Sequence, residues 1–312
     1  MSSKQALITP DDEGMAKAAA ILRAGGLVAM PTETVYGLAA RADSAEAVAQ
    51  IYRTKGRPDF NPLIVHVASL AMARKLAVFD AVAEQLAARF WPGPLTLVLP
   101  LREGAGIAPA VTAGLGTIAL RQPGHPVAAR LLAESGLPLA APSANRSNAV
   151  SPTRPGHVLE SFGADAPPVI DGGACEAGLE STIVALDREG GWRLLRPGPI
   201  AAEELAELLG PEAKSRGATI EAPGQLAKHY SPGKPVALGV TSPEADTFMI
   251  GFGETVGDVN LSPGGDLAEA ASRLYAALHE GAASGKSRIA VAPIPQQGMG
   301  RAINDRLQRA AA

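Results

Sequence analysis

The feature that most constrains the fold is a rhythm with a single interruption. From LVAM (27–30) onward, short apolar runs of strand length alternate with helical patterns. PLIVHV, PLTLVLP, GTIALR, LPLAAP, PPVIDGG, STIVALD and WRLLRPG read as strands. SAEAVAQIYRTK, stretches near 69–78 and 80–90, HPVAARLLAES and AAEELAELL read as helices. Short buried strands mixed with helices predict an α/β sheet. Residues 210–234, GPEAKSRGATIEAPGQLAKHYSPGK, break the rhythm: they are polar, rich in Gly and Pro, and lack a period. The rhythm then resumes with PVALGV, TFMIGF and SRIAVAP as strands and GDLAEAASRLYAALHEG as an amphipathic helix. In that helix Leu267, Ala270, Ala271, Leu274 and Leu278 share one face. The expected organisation is a large domain over 1–209, a linker over 210–234 and a small βαβ-type domain over 235–312. At the other end, Thr9-Pro10-Asp11-Asp12 reads as a helix start with Thr9 as cap, and Gly25-Gly26 as its stop.

Composition narrows the function classes. Over 312 residues, 46% are hydrophobic and 19% charged, so two packed cores are within reach and global disorder is not expected. A net charge of -3 argues against a protein that coats nucleic acid by phosphate neutralisation, while leaving a local basic groove open. The single cysteine, Cys175, excludes an internal disulfide or a multi-cysteine metal site. The segment MSSKQALITPDDEG lacks a hydrophobic signal core, and no apolar run is long enough to span a bilayer. A cytoplasmic location is the expectation.

Several stretches could carry chemistry. KGRPDFNPLIVHV (55–67) sets Lys55 and Arg57 one residue apart, ahead of a buried strand, and adds Asn61 and His66. Arg offers a planar donor fork for phosphate or carboxylate, and Lys a point charge. A solvated helix end is the plainer reading of the two cations, since cations favour that position. PTETVYGLAA (31–40) gathers hydroxyls, a carboxylate and a phenol into what is otherwise a polar turn. TIALRQPGHP places Arg121 at a strand end, where open α/β sheets bind ligands, or where a structural salt bridge can sit. APSANRSNAVSPT (141–153) is dense in hydroxyls and amides directly after a strand; Ser143, Asn145 and Ser151 could bond phosphate, sugar or base, or serve only a turn-rich connection. Ser181 and Arg196 lie at a strand start and a strand end. Two stretches are set aside. GKS in EGAASGKSR has the wrong glycine spacing for a phosphate loop and follows a helix instead of a strand. Nothing nearby in sequence supplies Cys175 with a base, so an inert thiol is expected.

Taken in order, PTETVYGLAA, KGRPDFNPLIVHV, WPGPLTLVL, VTAGLGTIALRQPGHP, APSANRSNAVSPT, IDGG, ESTIV and LRPGPI resemble the YrdC-like family, and more narrowly its two-domain L-threonylcarbamoyladenylate synthases. GQLAKHYSP is similar to their linker motif, and GMGRAINDRLQRAA to part of their Rossmann-like C-terminal domain. The resemblance implies a twisted open α/β sheet with a concave basic groove. It implies a reaction in which L-threonine, bicarbonate or carbon dioxide, and ATP (with Mg²⁺) give threonylcarbamoyl-AMP and pyrophosphate. A partner machinery would then modify an adenosine of tRNA. By the same resemblance Lys55, Arg57 and Asn145 are catalytic. Thr34, His66, Arg121, Ala141 and Ser181 would bind threonine. Arg57, Asn61, Thr117, Ser143, Ser151, Arg196 and Tyr230 would bind ATP, no side chain being assigned to a metal. Asn148 departs from the pattern, standing where the family often has Gly. Residues 222–233 are expected to fold over the nucleotide as a lid bearing Lys228, His229 and Tyr230. A non-catalytic RNA-binding module is the competing reading, with direct RNA contact open in either case. A carbamoyl-phosphate-using transferase is a third.

Overall fold

The computed structural model describes residues 7–187, 191–213 and 229–312. The chain runs β1 (Leu7–Ile8), α1 (Asp12–Arg23), β2 (Val28–Met30), β3 (Gly37–Arg41), α2 (Ala45–Lys55), β4 (Ile64–His66), α3 (Leu70–Leu76), α4 (Ala81–Phe90), β5 (Leu95–Pro100), α5 (Pro109–Thr112), β6 (Thr117–Arg121), α6 (Pro126–Ser135), β7 (Leu139–Ala140), α7 (Pro155–Phe162), β8 (Val169–Ile170), β9 (Thr182–Leu186), β10 (Trp192–Arg196) and α8 (Ala202–Leu209). After the break come β11 (Val236–Leu238), β12 (Thr247–Gly251), β13 (Val259–Asn260), α9 (Leu267–Ala283), β14 (Arg288–Val291) and α10 (Met299–Ala311).

The first eighteen elements build a ten-stranded mixed sheet of order β1-β8-β2-β3-β7-β4-β6-β5-β9-β10. It is open, with β1 and β10 at its edges. Its inner strands are covered on both faces: β2 and β4 are buried at every position and β9 at four of five, so they read as apolar runs without alternation. The other six elements form a four-stranded parallel sheet, β11-β14-β12-β13, with α9 and α10 as its helices. The predicted apolar face of α9 is the one it buries, Leu267 being partly covered and the other four fully.

Local sequence explains the ends of the elements that matter for the site. α1 is capped by Asp11, whose carboxylate accepts from the Gly14 amide, and not by Thr9 as expected from sequence. An acid at the cap also favours the positive end of the helix dipole, and such a cap contributes about 1 kcal/mol. α2 closes on Gly56, which takes the left-handed conformation (φ +62°) that glycine adopts without steric penalty. This turn separates Lys55, inside the helix, from Arg57, outside it. β3 is an element the sequence reading did not separate from the preceding turn. Its small residues GLAAR pack between β2 and β7, where Gly37 comes so close to Ala141 that an added Cβ would lie 3.2 Å from the Ala141 Cβ.

The register brings the strand ends together. β4 and β6 are parallel and pair His66 with Arg121. β5 runs antiparallel to β6, and β9 starts beside the start of β5, so Ser181 lies at the end of β6 that carries Arg121. β10 turns back against β9 and ends with Arg196 opposite Ile183.

Candidate active site

The site is a cleft lined by Thr32, Thr34, Val35, Gly37, Arg57, Ile64, His66, Arg121, Ala141, Pro142, Ser143, Glu180, Ser181, Arg196, His229 and Tyr230. At one end stands Arg121, 3% exposed. Its Nη1 donates to the Thr34 hydroxyl (2.8 Å) and its Nε to the Gly93 carbonyl (3.2 Å). Its Nη2 lies 2.7 Å from Glu33 Oε1, but the N–H does not aim at that oxygen, and neither atom makes a well-directed hydrogen bond. Burial would push the Glu33 carboxyl up, but the Arg121 guanidinium outweighs it and holds the group below the usual carboxylate range. Arg121 is thus charge-balanced by Glu33. His66 beside it is buried, its Nδ1 is unpartnered, and desolvation with the Arg121 charge pulls its pKa down to about 3. A neutral imidazole faces this end of the cleft at any ordinary pH.

The other end is built differently. Lys55 is 3% exposed, and its Nζ donates to the carbonyls of Ser143 and Asn145 (2.6 Å each) and, at 3.5 Å, to Asn145 Oδ1. Among the described residues no carboxylate lies among its partners. Burial, with Arg57 beside it, pushes its pKa well below the ordinary lysine range. Arg57 has the Asn61 and Pro62 carbonyls as partners (3.3 and 3.0 Å), and burial pulls it down to about 10, still charged at neutral pH. These two cations line a side chamber with Pro58, Asn61, Asn145, Ser147, Asn148 and His229. An arriving anion would offset this burial cost.

The loop 141–153 is held for this task. Asn145 Nδ2 donates to the Arg146 and Ala149 carbonyls, which turns Oδ1 toward Lys55. Asn148 is in the left-handed region (φ +66°), which Gly takes freely and Asn tolerates, so the loop keeps a glycine-like turn without the glycine. Its carbonyl accepts from the Ser231 amide, tying 229–231 onto the loop.

The second domain supplies the back wall. Glu180 Oε1 accepts from Ser151 Oγ (2.5 Å), and Oε2 accepts from Tyr275 on α9 (2.7 Å) and from Arg306 Nε on α10 (3.0 Å). Burial opposes its ionisation, but Arg306, Arg196 and these hydrogen bonds outweigh it and hold its pKa at about 2. His279 of α9 bonds the Ser151 carbonyl and stacks on His157 at 3.8 Å. Tyr230 is 1% exposed, stacks on Tyr275 at 5.5 Å and has the Arg306 guanidinium over its ring.

The fold therefore gathers Thr34, His66, Arg121, Ala141, Ser143, Ser181, Arg57, Arg196 and Tyr230 on one cleft, and Lys55, Arg57, Asn61 and Asn145 on the adjoining chamber. Ser151 is buried behind Glu180 and does not line either space. Thr117 is also outside them. It opens β6 two residues before Ala119, the partner of Ile64, which puts it level with Pro62 at the corner that Arg57 grips. Tyr230 is at once a cleft wall and a stacking partner of the second domain, so lid and tether are not exclusive for it. Lys228 and the rest of 214–228 lie outside the described residues. Cys175 is buried and its thiol is pushed up to about 12 by desolvation, the inert thiol expected from sequence. Sequence reasoning missed Glu33, Glu180, Tyr275 and Arg306. Glu33 and Glu180 stand directly beside Thr34 and Ser181, and that adjacency was the one signal available. Among the described residues no cluster of three metal-ligating side chains occurs, and no helix is long and apolar enough to cross a membrane.

Comparison with known proteins agrees with this geometry. Residues 20–198 match the Sua5–YciO–YrdC family, described as "Telomere recombination", and residues 200–312 match the threonylcarbamoyl-AMP synthase C-terminal domain. The threonylcarbamoyl-AMP synthase of Bacillus subtilis is 39% identical, over 97% of this chain and 94% of its own. That of Pyrococcus abyssi is 39% identical, over 94% and 92%. The crystal structure of P. abyssi Sua5 complexed with L-threonine superposes with a TM-score of 0.88 at 36% identity, covering 98% of this chain and 97% of that one. A cleft with a balanced arginine at one end and uncompensated cations at the other, a second domain walling it, and full-length similarity of this extent place the chain in the threonylcarbamoyl-AMP synthase family.

Proposed function

We propose that this chain joins L-threonine, bicarbonate-derived carbon dioxide and ATP into threonylcarbamoyl-AMP, releasing pyrophosphate. The observation that carries this reading is the division of the cleft: a carboxylate-ready Arg121 with neutral His66 at one end, and Lys55 with Arg57, free of any carboxylate partner, at the other.

The Arg121–His66 end suits a zwitterionic amino acid. The Arg121 guanidinium takes the α-carboxylate, and Thr34, His66 and Ser181 offer neutral polar contacts around it. Threonine's amine, once deprotonated, adds to carbon dioxide and gives a carbamate. A carbamate oxygen then attacks the α-phosphorus of ATP; the bond to the β-phosphate oxygen breaks and pyrophosphate leaves. Charge gathers on the α-phosphoryl oxygens and on the leaving group, so positioning and fixed cations supply the catalysis. Lys55 and Arg57, preorganised by backbone carbonyls, stand where the triphosphate would lie.

Magnesium fits as an ion carried by the nucleotide. Among the described residues the chamber has no carboxylate, but the Asn61 Oδ1 is buried without a partner there and Asn145 Oδ1 faces Lys55, two neutral oxygens of the kind a phosphate-bound Mg²⁺ accepts. When bound, Mg²⁺ would share the charge of the triphosphate. The product is a mixed anhydride, and we assign its threonylcarbamoyl group to a transferase machinery acting on tRNA.

Purified protein should release pyrophosphate with ATP, threonine and bicarbonate together, and lose that release when any one is omitted. Equal release without threonine would overturn the reading, and stabilisation against heat by RNA in place of ATP plus threonine would favour a binding module.

A further inference from the structure

We infer that Glu180, held from behind by the second domain, is the group that reads a ribose hydroxyl of the nucleotide. This rests on the ATP-using reaction proposed above and adds a recognition element to it.

Glu180 lines the cleft, and its side chain is almost wholly buried. Its partners fix its chemical character. Arg306 sits against it with no exposed side-chain surface, and Arg196 is a second charge nearby. The carboxylate is therefore ionised and can only accept hydrogen bonds. It follows that Ser151 and Tyr275 both donate to it, and that the hydroxyl proton of Ser151 is committed. Ser151 lies behind the carboxylate and outside the cleft lining. The ligand-facing member of the pair is thus the acid, and the serine holds it.

An ionised carboxylate in a cleft built for a polyanion is informative. It repels phosphate, so the part of the nucleotide next to it must be a neutral donor. Oε2 is occupied by Tyr275 and Arg306, whereas Oε1 has Ser151 alone and retains capacity to accept. The α-phosphorus has to meet the carbamate formed at the Arg121–His66 end, and the ribose is attached to that same phosphate. Its hydroxyls are the donors that come within reach of Glu180 while the triphosphate extends over Arg57 toward Lys55. Tyr275 and Arg306 are positioning residues in this arrangement: without them the carboxylate would lose its orientation and its charge balance. The second domain's contribution to the site would then be one correctly aimed oxygen.

The test compares ATP, 2′-deoxy-ATP and 3′-deoxy-ATP as substrates for pyrophosphate release. The wild-type enzyme should use at least one deoxy analogue about 10–100-fold less efficiently in kcat/KM, the usual effect of losing a hydrogen bond to a charged group. In Glu180→Gln that ratio should fall, because an amide oxygen is a weaker acceptor than a carboxylate, with threonine affinity by calorimetry unchanged. Tyr275→Phe, which keeps the Arg306 charge pair, should reduce the ratio in part, with little change in melting temperature. Since Glu180→Gln leaves the buried Arg306 with Asp305 alone of its two paired carboxylates and can fail to fold, the wild-type analogue series and Tyr275→Phe decide in that case. Equal use of both deoxy analogues by the wild-type enzyme would overturn the inference. So would an unchanged ratio in Glu180→Gln or Tyr275→Phe, or a loss confined to threonine affinity. None of these outcomes touches the three-substrate requirement, whose failure would show instead as pyrophosphate release that ignores threonine or bicarbonate.

Discussion

The two ends of the cleft solve the same problem, a buried cation awaiting an anion, in opposite ways. Arg121 has its countercharge installed: Glu33 sits 2.7 Å away and both are nearly buried. Lys55 and Arg57 have backbone carbonyls instead. A carbonyl satisfies a donor but does not cancel a charge, so burial depresses both pKa values on that side. The balanced end is stable without ligand and selective in shape. The unbalanced end stores free energy that a polyanion releases on arrival. A planar guanidinium in a balanced pair suits one carboxylate; stripped cations suit a triphosphate whose charge is spread over many oxygens.

Four experiments can break or sharpen this contrast. The largest effect is expected at the balanced end. Arg121→Ala removes the carboxylate anchor and leaves Glu33 buried without a countercharge, so threonine binding measured by calorimetry should weaken by about 2–5 kcal/mol. ATP binding should change far less, and the reverse pattern would exchange the roles of the two ends. Next, Lys55→Met should lower pyrophosphate release about 10²–10³-fold, in the range seen when a preorganised charge stabiliser is lost. Its melting temperature should change little, because removing a buried cation offsets the loss of the hydrogen bonds to the Ser143 and Asn145 carbonyls. A marked fall in stability would mean that Lys55 is already balanced in the free protein.

A smaller effect separates charge from geometry. Arg57→Lys keeps the charge and loses the planar fork, and should cost about tenfold in kcat/KM for ATP, the scale of one charge-assisted hydrogen bond. Full activity in that variant would remove bidentate contact from the account. The smallest signal is a proton. The Lys55 pKa is lowered in the free protein, so its ammonium is depleted at alkaline pH. A bound triphosphate raises that pKa back toward its ordinary value. ATP binding at a pH below the ordinary lysine pKa should therefore be accompanied by proton uptake, seen as a calorimetric heat that varies with buffer ionisation enthalpy. Threonine binding should show no comparable uptake through Arg121, and Lys55→Met should abolish the ATP term. Proton release on ATP binding would contradict the assigned sign.

The α/β class, and the strands and the α9 helix beyond residue 235, were legible in the amino-acid sequence, because strand and helix periods are local properties of a few residues. The sequence also placed most of the candidate site, since Lys55, Arg57, His66, Arg121, Ala141, Ser143, Ser181 and Arg196 lie at element ends that short motifs mark. The β3 strand escaped it: GLAAR has neither alternation nor β-branched residues, and only its place between β2 and β7 makes it a strand. Strand order escaped it for the same reason, being set by contacts far apart in sequence.

Tertiary structure alone decided the electrostatics. Nothing in PTETVYG says that Glu33 balances Arg121, 88 positions away, and nothing in ESTIV says that Glu180 meets Arg306 across the domain boundary. In the sequence the cations at 55, 57 and 121 look alike. The fold makes them different by giving a carboxylate to one and only carbonyls to the others, since the state of a buried charge depends on what surrounds it and not on its neighbours along the chain.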